Sequence, residues 1–405
     1  MRILYLSSIL PKRSETFVYR EILGLRDAGL SVETASLYPP ESGLGDPSLD
    51  DMAARSIPVY GPGMPALLRD ALAFAVNSPR HAFRTIRLAL IDAATADDLS
   101  FVGRLKVAPQ AIAALALAHR VSGHRLTHVH VHMAHAAATV GMYAASALNL
   151  PFSFTGHAAD IFRERGILRQ KLSRASFVAC ISNWHRAWYS QICQRRDEDY
   201  RVIRCGVDLP STPPNPRKST TLRVVSLGRM VPKKGFDALV DAARTLDTAG
   251  VPIHVTIAGD GPELANLKTL AKGLPVEFPG PLDNRDVPAF LAGADVFALP
   301  CRISADGDRD GIPVVLMEAM AHRICCVSGD LPTIRELIED HYSGLLIPPG
   351  NADALSVALQ SLAADSAFRE RLAENGRLRV KEEFSSGKNI AKLIRLFESH
   401  QTTNS

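Results

Sequence analysis

The chain has no pair of cysteines at redox or metal spacing. Its six cysteines (Cys180, Cys193, Cys205, Cys301, Cys325 and Cys326) form no CxxC pair and no zinc pattern, which argues against a disulfide framework and reads as reduced thiols in a cytosol. Long apolar runs are also missing. The longest, such as AIAALALA (111 to 118), fall well short of the roughly 20 residues a bilayer span needs. No small-residue cleavage site follows MRILYLSSIL, which runs straight into PKRSETF and reads as a first strand rather than a signal peptide. Charge of one sign is scarce: the net value is only +4, and no nucleic-acid partner is expected. Splitting the chain at Pro210 gives 24 basic against 18 acidic residues in front and 22 against 24 behind. The front part is therefore +6 and the back part −2, a bias that suits either an ordinary solvated face or an anionic membrane surface.

What is present is an ordinary globular composition, 46% hydrophobic and 22% charged over 405 residues, enough for two domains with their own cores. From Thr221 onward short β-branched runs alternate with helical patterns: LRVVSLG, IHVTIAG, VEFPG, DVFALPC, ICCVSG and SGLLIPP. This βαβα rhythm predicts a parallel, doubly wound sheet. The front half repeats it with RILYLSS, LSVETASL, THVHVHM, PFSFTG, FVACIS and YRVIRCG. Between them PSTPPNPRKST (210 to 220) carries four prolines and no apolar periodicity, the mark of a linker. The expected division is residues 1 to 212, residues 213 to 385, and a closing segment 386 to 405 whose helix, about 387 to 399, crosses back to the front domain. Residues 60 to 125, apolar at helical spacing with arginines between, read as a helical insertion that either packs or faces a membrane or acceptor. Two such sheets joined by a linker would bring their carboxyl strand ends to a shared cleft, where open sheets bind ligands.

Four stretches carry candidate chemistry. In VVSLGRMVPKKGF (224 to 236) a strand ends at Gly228, Arg229 and Lys234 follow in the loop, and Gly235 precedes a helix. Cations beside a helix start suit a diphosphate, although a solvated basic loop has the same composition. In DGIPVVLMEAMA (310 to 321) Pro313 is a good first helical residue, which leaves amides free at Gly311 and Ile312 and puts Glu318 in the second turn. Asp306, Asp308, Asp310 and Gly311 match the start of a calcium-binding loop, but its twelfth position is Met317 and Glu318 comes one residue late. In PFSFTGHAADIF (151 to 162) His157 follows a strand, where it is either an acid, base or hydrogen-bond donor or a satisfied core histidine. Nearby His128, His130 and His132 alternate on one strand face at a spacing compatible with zinc, with no ligand from another element to complete the set. Asp260 in IAGDGPE reads as a turn residue.

Taken together, LGRMVPKKG, AGDGP, DGIPVVLMEAMA and SGLLIPPGN, over residues 222 to 385, resemble the C-terminal signature of the retaining family-4 glycosyltransferases of the GT-B fold, two Rossmann-like domains facing across a cleft. LPKRSETFVYREI with SFTGHAADIF is similar to the exopolysaccharide branch, including transferases of colanic acid synthesis. The resemblance implies a nucleotide-sugar donor, a glycan or lipid-linked oligosaccharide acceptor, and a cytoplasmic enzyme held peripherally on the membrane face. It implies that Gly228, Arg229 and Lys234 hold the donor phosphates, that the amides of Gly311 and Ile312 face the diphosphate, and that Glu318 bonds the ribose hydroxyls. Asp310 would approach the donor sugar, and His157 would lie near sugar and acceptor. Asp310 stands where the family usually has glutamate, and PKRSETF replaces a glycine-rich loop after the first strand. Cations stand where a metal would otherwise sit, so neither metal nor cofactor is expected and leaving-group stabilisation should be electrostatic. No carboxylate offers itself as a nucleophile for double displacement. Rival readings on the same fold are a nucleotide-sugar epimerase, a phosphorylase and a non-catalytic sugar-nucleotide-binding protein.

Overall fold

A computed structural model describes residues 1–157, 166–211 and 220–400. Residues 212 to 219, most of the proline-rich linker and the place of the expected boundary, lie outside the described residues, as do 158 to 165 beyond His157. The chain divides into two compact units, Met1–Arg204 together with Asn389–Ser405, and Cys205–Lys388.

The first unit holds a parallel sheet of β1 (Arg2–Ser7), β2 (Ser31–Ser36), β3 (Ile57–Pro58), β4 (His128–His132), β5 (Phe152–Gly156), β6 (Phe177–Cys180) and β7 (Tyr200–Val202). Their spatial order is β3-β2-β1-β4-β5-β6-β7, so the winding reverses between β1 and β4, the switch point at which doubly wound sheets bind ligands. Strand alternation sorts the core onto two faces. Leu4, Leu6, Val129 and Val131 pack with the apolar helices Val107–Val121 and Ala136–Leu148. Ile3 and Tyr5 face the other way, with Val18, Ile22 and Leu25 of helix Thr16–Asp27. The same side is covered by the last helix, Ser386–Ser399, whose Asn389, Leu393 and Phe397 are buried at helical spacing. Asn389 Oδ1 accepts the amide of Arg204 at 3.1 Å, and Phe397 packs in the cluster with Tyr5 and Phe177.

Between β3 and β4 run the helices Met64–Asn77, Pro79–Thr95, Phe101–Leu105 and Val107–Val121. One expectation needs correcting here. Residues Phe101–Val121 are long and apolar enough, by length and composition, to cross a membrane. The apolar run 111 to 118 is only part of that stretch. Ala111 and the stretch Ala113 to Ala118 are nevertheless buried in the core of this unit, so the fold uses that part as a core helix.

The second unit holds β8 (Leu222–Leu227), β9 (Ile253–Ala258), β10 (Val276–Gly280), β11 (Val296–Leu299), β12 (Cys325–Gly329) and β13 (Leu345–Ile347), all parallel, in the order β10-β9-β8-β11-β12-β13. Its switch point lies between β8 and β11. With helices on both faces every residue of β11 and of β12 is buried, as parallel sheets require, and the one polar side chain among them, Ser328, donates to the Leu299 carbonyl at 2.7 Å. Cys325 and Cys326 sit there as free thiols, acting as small apolar residues.

Candidate functional site

The residues singled out from the sequence fall at the two switch points. In the second unit β8 ends at Leu227, and the loop to helix Phe236–Thr248 makes one short turn, Pro232–Lys234, closed by Gly235 in a left-handed conformation (φ 70°). A side chain at Gly235 would place its Cβ 2.1 Å from the carbonyl oxygen of Pro300, so glycine is needed there for both conformation and contact. That close approach lays the basic loop against the segment leaving β11. Arg302 clamps the two, donating from Nε to the Pro232 carbonyl at 2.8 Å and pairing with Asp237 at 2.8 Å.

The clamp brings Lys234 and Asp310 together. Lys234 Nζ lies 2.8 Å from Asp310 Oδ2, and Lys233 Nζ lies 3.4 Å from Asp310 Oδ1 and 3.2 Å from Asp308. The Cys301 thiol reaches Asp310 at 3.6 Å. Burial works to raise the Asp310 carboxyl, yet Lys234 and then Lys233 outweigh it and hold it below the usual carboxylate value. Burial likewise works to lower Lys234, and Asp310 outweighs it and raises the ammonium. Both shifts favour the ionised pair. The aspartates thus face lysine ammoniums rather than forming the calcium-loop start considered from the sequence, and Asp306 instead accepts the amide of Asp308 at 3.1 Å.

Arg229 is exposed and forms no ion pair or hydrogen bond from its side chain among the described residues. The cluster therefore carries an uncommitted guanidinium beside two lysines already engaged. Gly228 lies at the strand end, where the carbonyl of Gly228 would be 2.0 Å from a Cβ on Gly259, so the β8 and β9 loops meet backbone to backbone. Gly311 and Ile312 are buried, and their amides donate to no acceptor among the described residues. The helix behind them starts at Val314. Pro313 is its cap, with extended backbone (φ −63°, ψ 125°), so the helix begins one place later than the sequence reading put it, because the PPII conformation open to proline also serves as a cap. Glu318 is half-buried on this helix, in its second turn.

The first unit's switch point is built from rings. His157, the last described residue of its motif, follows β5, is buried, and meets His132 with Nε2 3.0 Å from Nδ1. Burial, and next His132, push its imidazole well below the usual histidine value, so the ring is neutral. His130 bonds Ser153 and Thr155 (2.7 and 3.1 Å), and His128 bonds Ser153 at 2.6 Å. Sequence reading found no ligand from another element for these histidines, but the structure supplies Glu21 from helix Thr16–Asp27, whose Oε1 lies 2.9 Å from His132 Nε2. The signal was available in the topology, since the helix that follows β1 lies over the strand on the far side of the switch point. Lys233 and Asp308 were missed as partners for the same reason: loop-to-loop contacts have no periodicity.

Comparison with known proteins gives this geometry a context. Residues 211–379 match the family described as glycosyl transferases group 1, and residues 100–210 match glycosyltransferase family 4. The chain is 34% identical over 266 residues to WcaL of Escherichia coli K12, a glycosyltransferase assigned to colanic acid biosynthesis, covering 58% of this chain and 66% of that one. It is 37% identical over 181 residues to the amylovoran biosynthesis glycosyltransferase AmsK of Erwinia amylovora, covering 44% of each. The chain thus spans less than two thirds of the curated relatives it matches. Among solved structures it shares the two-domain GT-B fold of Anabaena HepE in complex with UDP (17% identity, 98% of this chain and 100% of that one, TM-score 0.69). It shares it also with sucrose-phosphate synthase of Thermosynechococcus elongatus (18%, 98% and 99%, TM-score 0.71). The two family matches adjoin at residue 210 and together take in more than half of the sequence, and the chain belongs to the glycosyltransferases of group 1 and family 4.

Proposed function

We propose that the chain transfers a sugar from a nucleotide-sugar donor to a lipid-linked glycan acceptor, with retention of configuration, in the synthesis of an exopolysaccharide or other cell-surface polysaccharide. The observation that carries this reading is the β8 loop, where exposed Arg229 precedes the Lys233–Lys234–Asp310 cluster, in a unit whose Gly311 and Ile312 amides have no acceptor among the described residues. Unpaired guanidinium and amide donors are what a diphosphate needs.

In this reading Arg229 and Lys234 neutralise the leaving nucleoside diphosphate, the amides of Gly311 and Ile312 bond its oxygens, and Glu318 holds the ribose hydroxyls. Asp310 bonds a hydroxyl of the donor sugar while keeping Lys234 in place. The bond between the anomeric carbon and the phosphate oxygen breaks, and the acceptor oxygen attacks from the same face. The acceptor's proton passes to the departing phosphate. His157, neutral and on the acceptor-side unit, bonds the sugar or acceptor. Positive charge supplied by side chains makes the reaction independent of a divalent ion.

Peripheral contact with the cytoplasmic face of a membrane belongs to the same reading. Met64, Leu68, Leu72 and Val76 recur every fourth residue along one side of a helix and are 50 to 70% exposed. On the neighbouring helix Phe83 is 72% exposed, with Arg80, Arg84 and Arg87 around it. Apolar stripes edged by arginine suit an anionic bilayer surface.

The test is a panel of UDP-, GDP- and ADP-sugars with membrane-extracted acceptor lipid. Acceptor-dependent release of nucleoside diphosphate that survives EDTA is expected, with a product of unchanged anomeric configuration by NMR. An epimerised donor, or donor binding with no turnover, overturns the transferase reading. Loss in EDTA restored by magnesium or manganese overturns metal independence.

A further inference from the structure

The ring cluster at the first unit's switch point has a fixed sense of proton donation. Glu21 Oε1 receives the Tyr5 hydroxyl at 2.8 Å and stands 2.9 Å from His132 Nε2. An ionised carboxylate only accepts, so His132 must carry its proton on Nε2. His132 Nδ1 then faces His157 Nε2 across 3.0 Å and, as the acceptor of that contact, takes the Nε2–H of His157. The two imidazoles lie edge to edge and nearly coplanar, 5.3 Å between ring centres with 20° between planes, as that hydrogen bond requires, and Phe17 packs against His157 at 4.4 Å between centres. We infer that Glu21 and His132 are positioning residues that fix His157 as its Nε2–H tautomer, leaving Nδ1 as the basic nitrogen of the ring. This rests on the reading of His157 as a group that meets sugar or acceptor.

A metal centre is the competing use of the same side chains, since Glu21, His130 and His132 offer ligand atoms all within 4.8 Å of one another. The distances favour the hydrogen-bond chain. Two ligands of one tetrahedral zinc, each about 2.0–2.1 Å from the ion, stand about 3.3 Å apart, whereas Glu21 and His132 are 2.9 Å apart. Both nitrogens of His130 are also occupied, by Ser153 and Thr155.

Nitrogen-15 NMR of the full-length, histidine-labelled protein reads the tautomer directly, with the His157 signals assigned by their loss in His157→Gln. The wild type should show a protonated Nε2 and a bare Nδ1 between pH 6 and 8. Glu21→Gln, which leaves a neutral amide, should give a mixture of tautomers and lower kcat at least about tenfold with donor KM little changed. Glu21→Asp should recover part of that loss. His132→Phe keeps the ring packing against Tyr5 and Phe17 and should behave like Glu21→Gln. The acid limb of the kcat profile should shift in both, and His130, His135, His157, His185 and Tyr5 are the neighbouring groups whose titration the profile must separate. An unchanged single tautomer in both variants overturns the inference. So does one tightly held divalent ion per wild-type chain that His132→Phe loses. A wild type with the expected tautomer but no sugar transfer overturns the functional reading and leaves the hydrogen-bond chain standing.

Discussion

The two units wind their strands in the same order, with β1, β4 and β8, β11 at corresponding switch points, yet they fill those points with opposite chemistry. The first is lined with imidazoles, hydroxyls and one carboxylate that hydrogen-bond one another. The second is ionic: Lys233, Lys234, Asp308 and Asp310 pair, and Arg229 is left over. The topology fixes where loops converge, and the residues in those loops decide whether the place holds a proton or an anion.

Acid should break the comparison most visibly. Burial, then His400, lowers His128 to about 3, and burial first of all pushes His130 and His157 well below the usual value. A histidine whose folded pKa is depressed gives stability that is complete above its unfolded value, about 6.5, and is lost as pH falls from there towards the folded pKa. Each of the three should cost the first unit about 1.4 kcal/mol per pH unit below about 6. Asp310 is also depressed, but from an unfolded value of about 3.9, so its contribution persists until pH drops below about 4. Both tryptophans, Trp184 and Trp188, lie in the first unit. Urea midpoints followed by tryptophan fluorescence should therefore fall between pH 6.5 and 5 while a second, far-UV CD transition stays in place. Coincident transitions across that range would refute the assignment.

Lys234→Met sharpens the ionic side. Removing one partner of a buried pair costs about 3–5 kcal/mol, and the lower end is expected because Lys234 and Asp310 keep 13 and 14% exposure and Lys233 still reaches Asp310. Asp310→Asn should cost less alone, and the double variant less than the sum, by at least about 1 kcal/mol of coupling. Additive losses in denaturant titrations would mean that the pair does not act as a unit.

How much of this was legible beforehand depends on the kind of contact. The strands could be read because buried parallel strands have to be apolar, and Gly228 and Gly235 because strand-to-helix turns need glycine. The Lys234–Asp310 pair could not, since 76 positions separate the two residues and neither loop is periodic. Glu21 by itself is one more polar residue on helix Thr16–Asp27. Its meaning depends on His132, which lies on the strand beside β1 only because the winding reverses there. The core role of 107 to 121 was one of two readings left open, because composition alone cannot distinguish a buried helix from a membrane-facing one.

Arg229→Ala tests the uncommitted cation and should leave the fold alone, since the side chain is exposed and makes no pair among the described residues. A charge-assisted contact to phosphate contributes roughly 1.5–3 kcal/mol, so nucleoside diphosphate affinity should drop about ten- to a hundredfold with an unchanged melting temperature. Arg229→Lys should recover only part, because an ammonium lacks the planar fork. Titration calorimetry showing full affinity in Arg229→Ala would remove this loop from the donor site.

The smallest effect should come from the exposed helices of the first unit, where the comparison turns from interior to surface. Phe83 is 72% exposed and Leu72 is 65% exposed, so replacing either with serine removes little packing and should change stability by no more than about 0.5 kcal/mol. On a bilayer each would bury part of its side chain, for which roughly 1–1.5 kcal/mol is a reasonable share of full burial. Each single variant should then bind vesicles containing anionic lipid about five- to tenfold less tightly than the wild type. Arg87→Gln should weaken binding by roughly 1 kcal/mol near an anionic surface, and that part alone should vanish in high salt. Flotation with purely zwitterionic vesicles separates the two contributions, because only the apolar loss should persist there. Equal flotation of all three variants and the wild type would show that this face of the first unit meets water or protein instead.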